Sequence, residues 1–81
     1  MPSFSHAERT SIHQKAREHI EDIDRAESVA DIEWCKTYAA GYVAALVATG
    51  VIGTGEEAAF DRAIEQAEWN AVERLEDSAE G

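Results

Sequence analysis

The sequence predicts an all-α fold, either a small three-helix bundle or a helical hairpin with an N-terminal helical arm. Residues 3–40 contain neither Gly nor Pro, the residues that most often interrupt helices. Ala supplies much of the 44% hydrophobic content, and it favours close helix packing over sheets. Capping patterns divide the 81 residues into helices of about 5–27, 29–49 and 55–78, which form one domain, 1–81.

The first predicted helix begins after Ser3 or Ser5, either of which can accept a backbone N–H as N-cap. Glu8 follows Ser5 at capping-box spacing, and Phe4 stands where a hydrophobic staple would place it. Apolar residues then recur every three or four positions, and this narrow stripe indicates an amphipathic helix. The stripe consists of Ile12, Ala16, Ile20 and Ile23.

Two local signals bound the second predicted helix. Ser28 and Asp31 have capping-box spacing and mark a helix start, although this position could instead be a kink in one longer helix. Gly50 suits the left-handed position just past a helix end, and Val51 could make the hydrophobic contact of a Schellman motif. We therefore expect the second helix to end near Thr49.

The third predicted helix follows a short turn. Thr54 is its expected N-cap and Glu57 occupies the third helical position, where the helix dipole favours an acid. The apolar residues that follow have helical spacing, which predicts a second amphipathic helix. They are Phe60, Ile64, Ala67, Ala71 and Leu75.

The second helix has two apolar sides. One side is bulky and carries Ile32, Cys35, Ala39, Tyr42, Val43 and Leu46. The other side is a smooth strip that would let another helix approach closely. The strip carries Thr37, Gly41, Ala44 and Ala48. Because a helix that is apolar nearly all round should be buried, we expect the first and third helices to cover both sides.

The tight turn makes the second and third helices antiparallel neighbours. Counting 18 residues in each direction from Ile52 places Trp34 level with Asn70, and therefore close in height to Trp69. Both Trp residues lie off the main apolar stripe of their own helix. In one interpretation the two indoles pack together across the hairpin. In the other, one or both are exposed anchors for another protein.

The uncharged stretch at residues 38–51 could also be interpreted as a membrane span or as part of a phosphate-binding loop, but neither interpretation fits. It is too short for the ~20 apolar residues that cross a bilayer. The adjoining sequence GVIGTGEE lacks the Lys-Ser/Thr of a P-loop and the order GxGxxG, and two Glu stand where a phosphate would bind. A helix C-cap, a turn and an N-cap account for these residues instead.

The net charge of −10 restricts the partners. Residues 16–33 hold seven acids and two basic residues, and residues 56–80 hold nine acids and two basic residues. Such a field repels nucleic acid and anionic membranes and attracts basic protein surfaces, so we expect neither nucleic acid nor membrane as a direct partner. The single cysteine, Cys35, excludes an internal disulfide, and residues 1–6 do not begin a signal peptide. We therefore expect a cytoplasmic protein.

No catalytic or metal-binding pattern emerges from the sequence. Cys35 falls on the bulky side of the second helix, and no His follows it in the chain. His6 and His13 share a helix face but lie about 10 Å apart along the axis, too far to bind one metal ion. The chain has no H-x-x-x-H, C-x-x-C or EF-hand pattern. We expect a non-enzymatic protein without a cofactor or a metal.

Acidic residues gather on the first and third helices. On one flank of the third helix these are Asp61, Glu65, Glu68 and Glu76. In the middle of the first helix they include Glu18, Glu21 and Asp22. Carboxylates four residues apart on a helix stand ~5–6 Å apart at their Cβ atoms, which is comparable to the spacing of phosphates along a nucleic-acid strand. These acids are candidate partner-binding residues; alternatively, they serve only to keep the protein soluble.

Residues 34–57 resemble the helix–turn–helix core of many small phage and prophage accessory proteins. The shared pattern is W-C-K-x-Y-x-x-G-Y-V-x-A-L-x-x-x-G-V-I-x-x-x-E-E, about a third of the chain. Those proteins are all-α, acidic and non-enzymatic, and they include anti-CRISPR proteins, several of which occupy the nucleic-acid site of their target with carboxylates. The resemblance implies no role for any particular residue.

Two functions are therefore expected from the sequence. The first is a phage-type inhibitor in the host cytoplasm that binds a basic, nucleic-acid-handling protein through its acidic helical faces, with Trp69 or Trp34 as an aromatic anchor. The second is a structural or regulatory module that forms a homodimer through a self-complementary second apolar face, with acids that serve solubility alone.

Overall fold

A computed structural model describes the backbone of residues 6–80 and the side chains of residues 7–78. Three helices occupy these residues: α1, His6–Asp24; α2, Val29–Ala48; and α3, Thr54–Glu80. Each helix packs against both others, so the fold is a three-helix bundle and the predicted all-α class is confirmed. The predicted caps and staple at residues 3–5 lie outside the described residues.

α1 and α3 run in the same direction. Near the middle of α1 and the start of α3, His13 Nε2 lies 3.0 Å from Glu56 Oε2. Near the end of α1, Arg74 Nη2 donates hydrogen bonds of 2.6 Å to the carbonyl oxygens of Asp24 and Ala26. These contacts hold α3 alongside the second half of α1.

α2 runs antiparallel to α3 in the predicted register. Lys36 Nζ lies 3.1 Å from Glu68 Oε2, and these two residues are equally distant in sequence from Ile52. The count that placed Trp34 level with Asn70 therefore describes the observed pairing of the two helices.

The connection between α1 and α2 is a turn and not a kink. α1 ends at Asp24, three residues before the predicted end, and α2 begins at Val29. The Ser28 hydroxyl accepts a hydrogen bond of 3.1 Å from the Asp31 N–H, which confirms Ser28 as the N-cap. The Arg74 guanidinium satisfies the Asp24 carbonyl at the end of α1 and the Ala26 carbonyl in the connection.

α2 ends in a Schellman motif at the predicted place. Gly50 has a φ of 76°, which is the left-handed conformation that glycine adopts without steric cost. The Val51 N–H donates to the Leu46 carbonyl at 2.9 Å, and the Gly50 N–H donates to the Val47 carbonyl at 3.0 Å. Val51 and Ile52 are both buried, so the turn is anchored in the core.

α3 begins one residue earlier than predicted. Gly53, not Thr54, occupies the N-cap position, because the Gly53 carbonyl accepts the first helical hydrogen bond, from the Glu57 N–H at 3.0 Å. Glu56 supplies the reciprocal hydrogen bond of the capping box: its Oε1 accepts a hydrogen bond of 3.4 Å from the Gly53 N–H. Gly is among the residues that are preferred at the N-cap.

The core of the bundle is small. Its buried residues are Ala16, Ile20, Ile23, Ala26, Ile32, Ala39, Val43, Leu46, Val51, Ile52, Ile64, Ala67 and Ala71. Five of these thirteen residues are Ala, so the core buries little apolar area per residue. The largest fully buried side chains are Ile23, Ile32 and Val43.

One expectation about α2 is wrong. α1 and α3 cover its bulky side, whereas the opposite strip of small residues is exposed to solvent. The exposed residues of the strip are Thr37, Gly41, Ala44 and Ala48. Because α1 and α3 also pack against each other, they must lie on the same side of α2, and neither can reach the other side. Within residues 6–80, no helix has the length and apolar character to cross a bilayer.

Candidate protein-binding surfaces

The predicted acidic residues of α3 do not all have the same surroundings. Asp61, Glu65 and Glu76 are exposed. Glu68 is half-buried and pairs with Lys36 of α2, so its charge is used within the bundle. The hydrogen bond to Glu68, followed by the charge of that carboxylate, raises the pKa of Lys36 above its usual value. Glu68 therefore contributes less to an acidic surface than its sequence position suggested.

Trp69 lies in the middle of the exposed acids of α3. Its side chain is 58% exposed. Helical spacing places Glu65 one turn before it and Glu73 one turn after it on the same side of the helix. Glu73 is not among the acids predicted from the sequence, although its four-residue distance from Trp69 indicates that the two share one side of the helix. We call this surface the α3 outer face, defined by Asp61, Glu65, Trp69, Glu73 and Glu76.

The acids of α1 do not share one side of that helix. Glu18, Glu21 and Asp22 are exposed, but Glu21 borders the cleft between α1 and α3, and Asp22 lies beside Cys35 of α2. Arg25 partly neutralises them, because its guanidinium lies 3.2 Å from Glu21 Oε2 and 3.9 Å from Asp22 Oδ1. The ion pairs of the two sets differ: Glu21 and Asp22 pair with Arg25, which directly follows α1, whereas Glu68 pairs with Lys36 of α2.

The two Trp residues do not pack together, so that interpretation is wrong. Trp34 is 68% exposed and stacks on Tyr38 of its own helix, with ring centroids 5.4 Å apart and planes inclined by 20°. Tyr38 in turn contacts His19 of α1 at 4.8 Å. Trp34 thus leans toward the α1 side of α2, whereas Trp69 lies on α3 and faces away from the core. Equal height along the bundle does not bring the two indoles into contact.

A row of aromatic rings crosses the boundary between α1 and α2. His19 lies 4.8 Å from Tyr38 and 4.8 Å from Tyr42, and Trp34 extends the row toward solvent. The spacing of Trp34, Tyr38 and Tyr42 at four-residue intervals was the signal in the sequence for this row. The row fixes α1 against α2 and positions Trp34 at the edge of the exposed side of α2.

A cleft of about 450 Å³ lies between α1 and α3. It contains the His13–Glu56 pair, and the edge of the His13 ring faces Phe60 with centroids 5.9 Å apart. A His next to a carboxylate can move a proton, but the side chains that line this cleft include no Ser, Thr or Cys that could act as a nucleophile. The pair depends on tertiary contact between two helices, and sequence spacing did not predict it.

Cys35 is half-buried on the side of α2 that faces α1. Its pKa is raised, first by burial and then by the negative charges of Asp22 and Asp31. A raised pKa keeps the thiol protonated at neutral pH, and the protonated thiol is a poor nucleophile. Among the residues with described side chains, no group of three or more His, Cys, Asp or Glu is arranged to hold a metal ion.

We expect Cys35 to react with iodoacetamide several-fold more slowly than a free cysteine at neutral pH. The pH at which its reaction rate increases should be higher than for free cysteine. Replacing Asp22 with Asn removes one charge that opposes the thiolate, so the pKa should fall and the reaction should become faster. Asp24→Asn is the matched control on the same helix. Equal rates for the two variants would contradict the effect of Asp22.

Comparisons with known proteins gave no match to this chain among family models, curated protein sequences or solved structures.

Proposed function

We propose that this chain is a non-enzymatic protein-binding module in which the α3 outer face engages a basic surface of another protein. In its most specific form, which rests on the resemblance to anti-CRISPR proteins, the chain is an inhibitor in the cytoplasm of a host cell. Its partner is then a nucleic-acid-binding protein, and the carboxylates of α3 occupy the place of phosphates.

The main support for this proposal is the position of Trp69 among acidic residues that form no ion pair with the other described residues. Large exposed aromatic side chains surrounded by polar groups are frequent anchors of protein interfaces. No ion pair within 4.0 Å involves Asp61, Glu65 or Glu76 in the part of the chain that the structure describes. Their charges therefore remain available to attract and orient a basic partner. The α1 acids support the proposal less, because Arg25 neutralises two of them.

The test begins with affinity capture from bacterial lysate at low salt, elution at high salt, and identification of the released protein. Binding of that purified protein is then measured at several salt concentrations. The double variant Asp61→Lys with Glu65→Lys should associate at least about tenfold more slowly and show a weaker dependence on salt. Glu18→Lys with Glu21→Lys changes the net charge equally on α1 and is the matched control.

The aromatic anchor is tested in the same assay. Trp69→Ala should weaken binding about tenfold or more, because it removes an indole from the middle of the charged contact. Val29→Ala is the control, since Val29 is an apolar residue that is 67% exposed on another helix. The proposal fails if the captured protein binds the Trp69 and Asp61/Glu65 variants as tightly as the original chain, or if it continues to bind nucleic acid when saturated with this protein.

A further inference from the structure

α2 presents an exposed face without charge. We call it the α2 outer face, and it consists of Trp34, Thr37, Tyr38, Gly41, Ala44, Ala45 and Ala48, all exposed. Its two aromatic side chains, Trp34 and Tyr38, are 68% and 52% exposed and stack on each other. In a chain with a net charge of −10, residues 37–55 contain no charged side chain. The face is therefore apolar, unlike the outward sides of α1 and α3.

Gly41 lies in the middle of this face and has no role within the protein. A Cβ at this position would meet no atom within 4 Å, and the only positive φ among the described glycines is at Gly50. Gly in the interior of a helix destabilises it relative to Ala. A missing side chain does, however, let a second helix approach the backbone closely. Gly41 therefore favours close contact with a helix outside the bundle.

The large and small residues of the face are separated along α2. Trp34 and Tyr38 occupy its N-terminal half, whereas Ala44, Ala45 and Ala48 occupy its C-terminal half. If two α2 helices cross antiparallel at Gly41, Trp34 of one copy is level with Ala48 of the other, and Tyr38 is level with Ala44 and Ala45. Each aromatic side chain then opposes small residues, which is the complementarity that close packing requires.

The charges of α2 favour the same arrangement. Asp31, Glu33 and Lys36 lie in its N-terminal half, and its C-terminal half carries none. In an antiparallel pair the acidic half of each helix faces the uncharged half of the other. In a parallel pair Glu33 would face Glu33, and like charges in proximity repel. The helix dipoles are also opposed in the antiparallel pair.

We propose that the α2 outer face binds a second copy of this chain, with the two α2 helices antiparallel and the two-fold axis at Gly41. The face spans residues 34–48 and is therefore about 21 Å long. Because Trp34 and Tyr38 are already partly covered within one copy, the contact buries at most roughly 1,000 Å² in total, at the lower limit of specific interfaces. The dimer is therefore expected to depend on protein concentration. It leaves the α3 outer face free.

The first test measures mass in solution by light scattering on a sizing column, from micromolar to millimolar protein. The mass should rise from the 8.9 kDa of one chain toward twice that value. Ala44→Glu should raise the dissociation constant about tenfold or more, because it buries an unpaired charge in the contact. Ala58→Glu adds the same charge to an exposed position on α3 and should leave the dissociation constant unchanged.

The second test determines the orientation by disulfide formation in a Cys35→Ser background. Gly41→Cys places two thiols beside the two-fold axis and should give a linked dimer on oxidation. Thr37→Cys places them about 12 Å apart along the helix axis, which is beyond the reach of a disulfide. Linkage through Thr37→Cys as rapid as through Gly41→Cys would overturn the antiparallel arrangement.

Two outcomes overturn the dimer itself: a mass of 8.9 kDa at every concentration, or equal dimerisation of the Ala44→Glu and original chains. A monomer that instead binds a different protein through this face gives the first outcome. Neither result affects the test of the α3 outer face, because Asp61, Glu65 and Trp69 lie outside the α2 outer face.

Discussion

Replacing Ile23 with Ala should lower the free energy of unfolding by about 3 kcal/mol, within the range of about 2–5 kcal/mol for such substitutions in cores. Ile23 is fully buried and belongs to the α1 stripe that faces both other helices. The loss is large for this protein, because a chain of 81 residues is expected to have a total stability of only about 4–12 kcal/mol. Urea unfolding followed by circular dichroism measures the change.

Val29→Ala is the matched control for this prediction. It also shortens an aliphatic side chain, but Val29 is 67% exposed, so the change in unfolding free energy should stay below about 0.5 kcal/mol. Both proteins should be measured at one concentration, since association of two copies would add to the apparent stability. Equal losses for Ile23→Ala and Val29→Ala would mean that Ile23 is not in the core.

Replacing Arg74 with Ala should lower the free energy of unfolding by about 2 kcal/mol. Arg74 Nη2 donates to the carbonyl oxygens of Asp24 and Ala26, and hydrogen bonds from a charged donor contribute about 1.5–3 kcal/mol each. We count only the partly buried bond to Ala26, because the carbonyl of Asp24 is exposed and water can replace the guanidinium there. Urea unfolding again provides the measurement.

Two substitutions separate the hydrogen bonds of Arg74 from its charge. Arg74→Lys keeps the positive charge near the C-terminal end of α1 but loses the planar donor. Its free energy of unfolding should therefore lie between those of the original chain and Arg74→Ala. Arg62→Ala removes an exposed Arg from the same helix and should change the stability by less than about 0.5 kcal/mol. If Arg62→Ala and Arg74→Ala lower the free energy of unfolding by equally small amounts, the hydrogen bonds of Arg74 do not stabilise the fold.

Sequence reasoning located the helices because their ends depend on neighbouring residues. Ser28 caps α2 through a residue three positions away, and the Schellman motif at Gly50 involves only residues 46–51. The antiparallel register of α2 and α3 was also predictable, since a short turn fixes it. These features need no knowledge of the rest of the fold. The N-cap of α3 was misplaced by one residue, because Gly53 and Thr54 are both acceptable N-cap residues. The end of α1 was misplaced by three residues.

The surfaces were harder to predict because they depend on contacts between distant parts of the chain. Periodicity identifies two apolar sides on α2 but does not decide which one the other helices leave exposed. The pairing of Glu68 with Lys36 and the capping of α1 by Arg74 each join different helices. Trp34 illustrates the same difficulty: its height was predicted, but its partner, Tyr38, was determined by the direction in which the side chain leans.

The left-handed backbone at Gly50 restricts how this sequence can change during evolution. A Cβ at this position would meet no atom within 4 Å, so steric space does not restrict the residue type. The restriction comes from the φ of 76°. Among residues with a side chain, Asn tolerates this conformation best. A diverged homologue that keeps the bundle should therefore carry Gly or Asn here, four residues after the position of Leu46 and directly before two apolar residues. We expect this short pattern to persist in such a homologue even where the sequences of the helices have diverged.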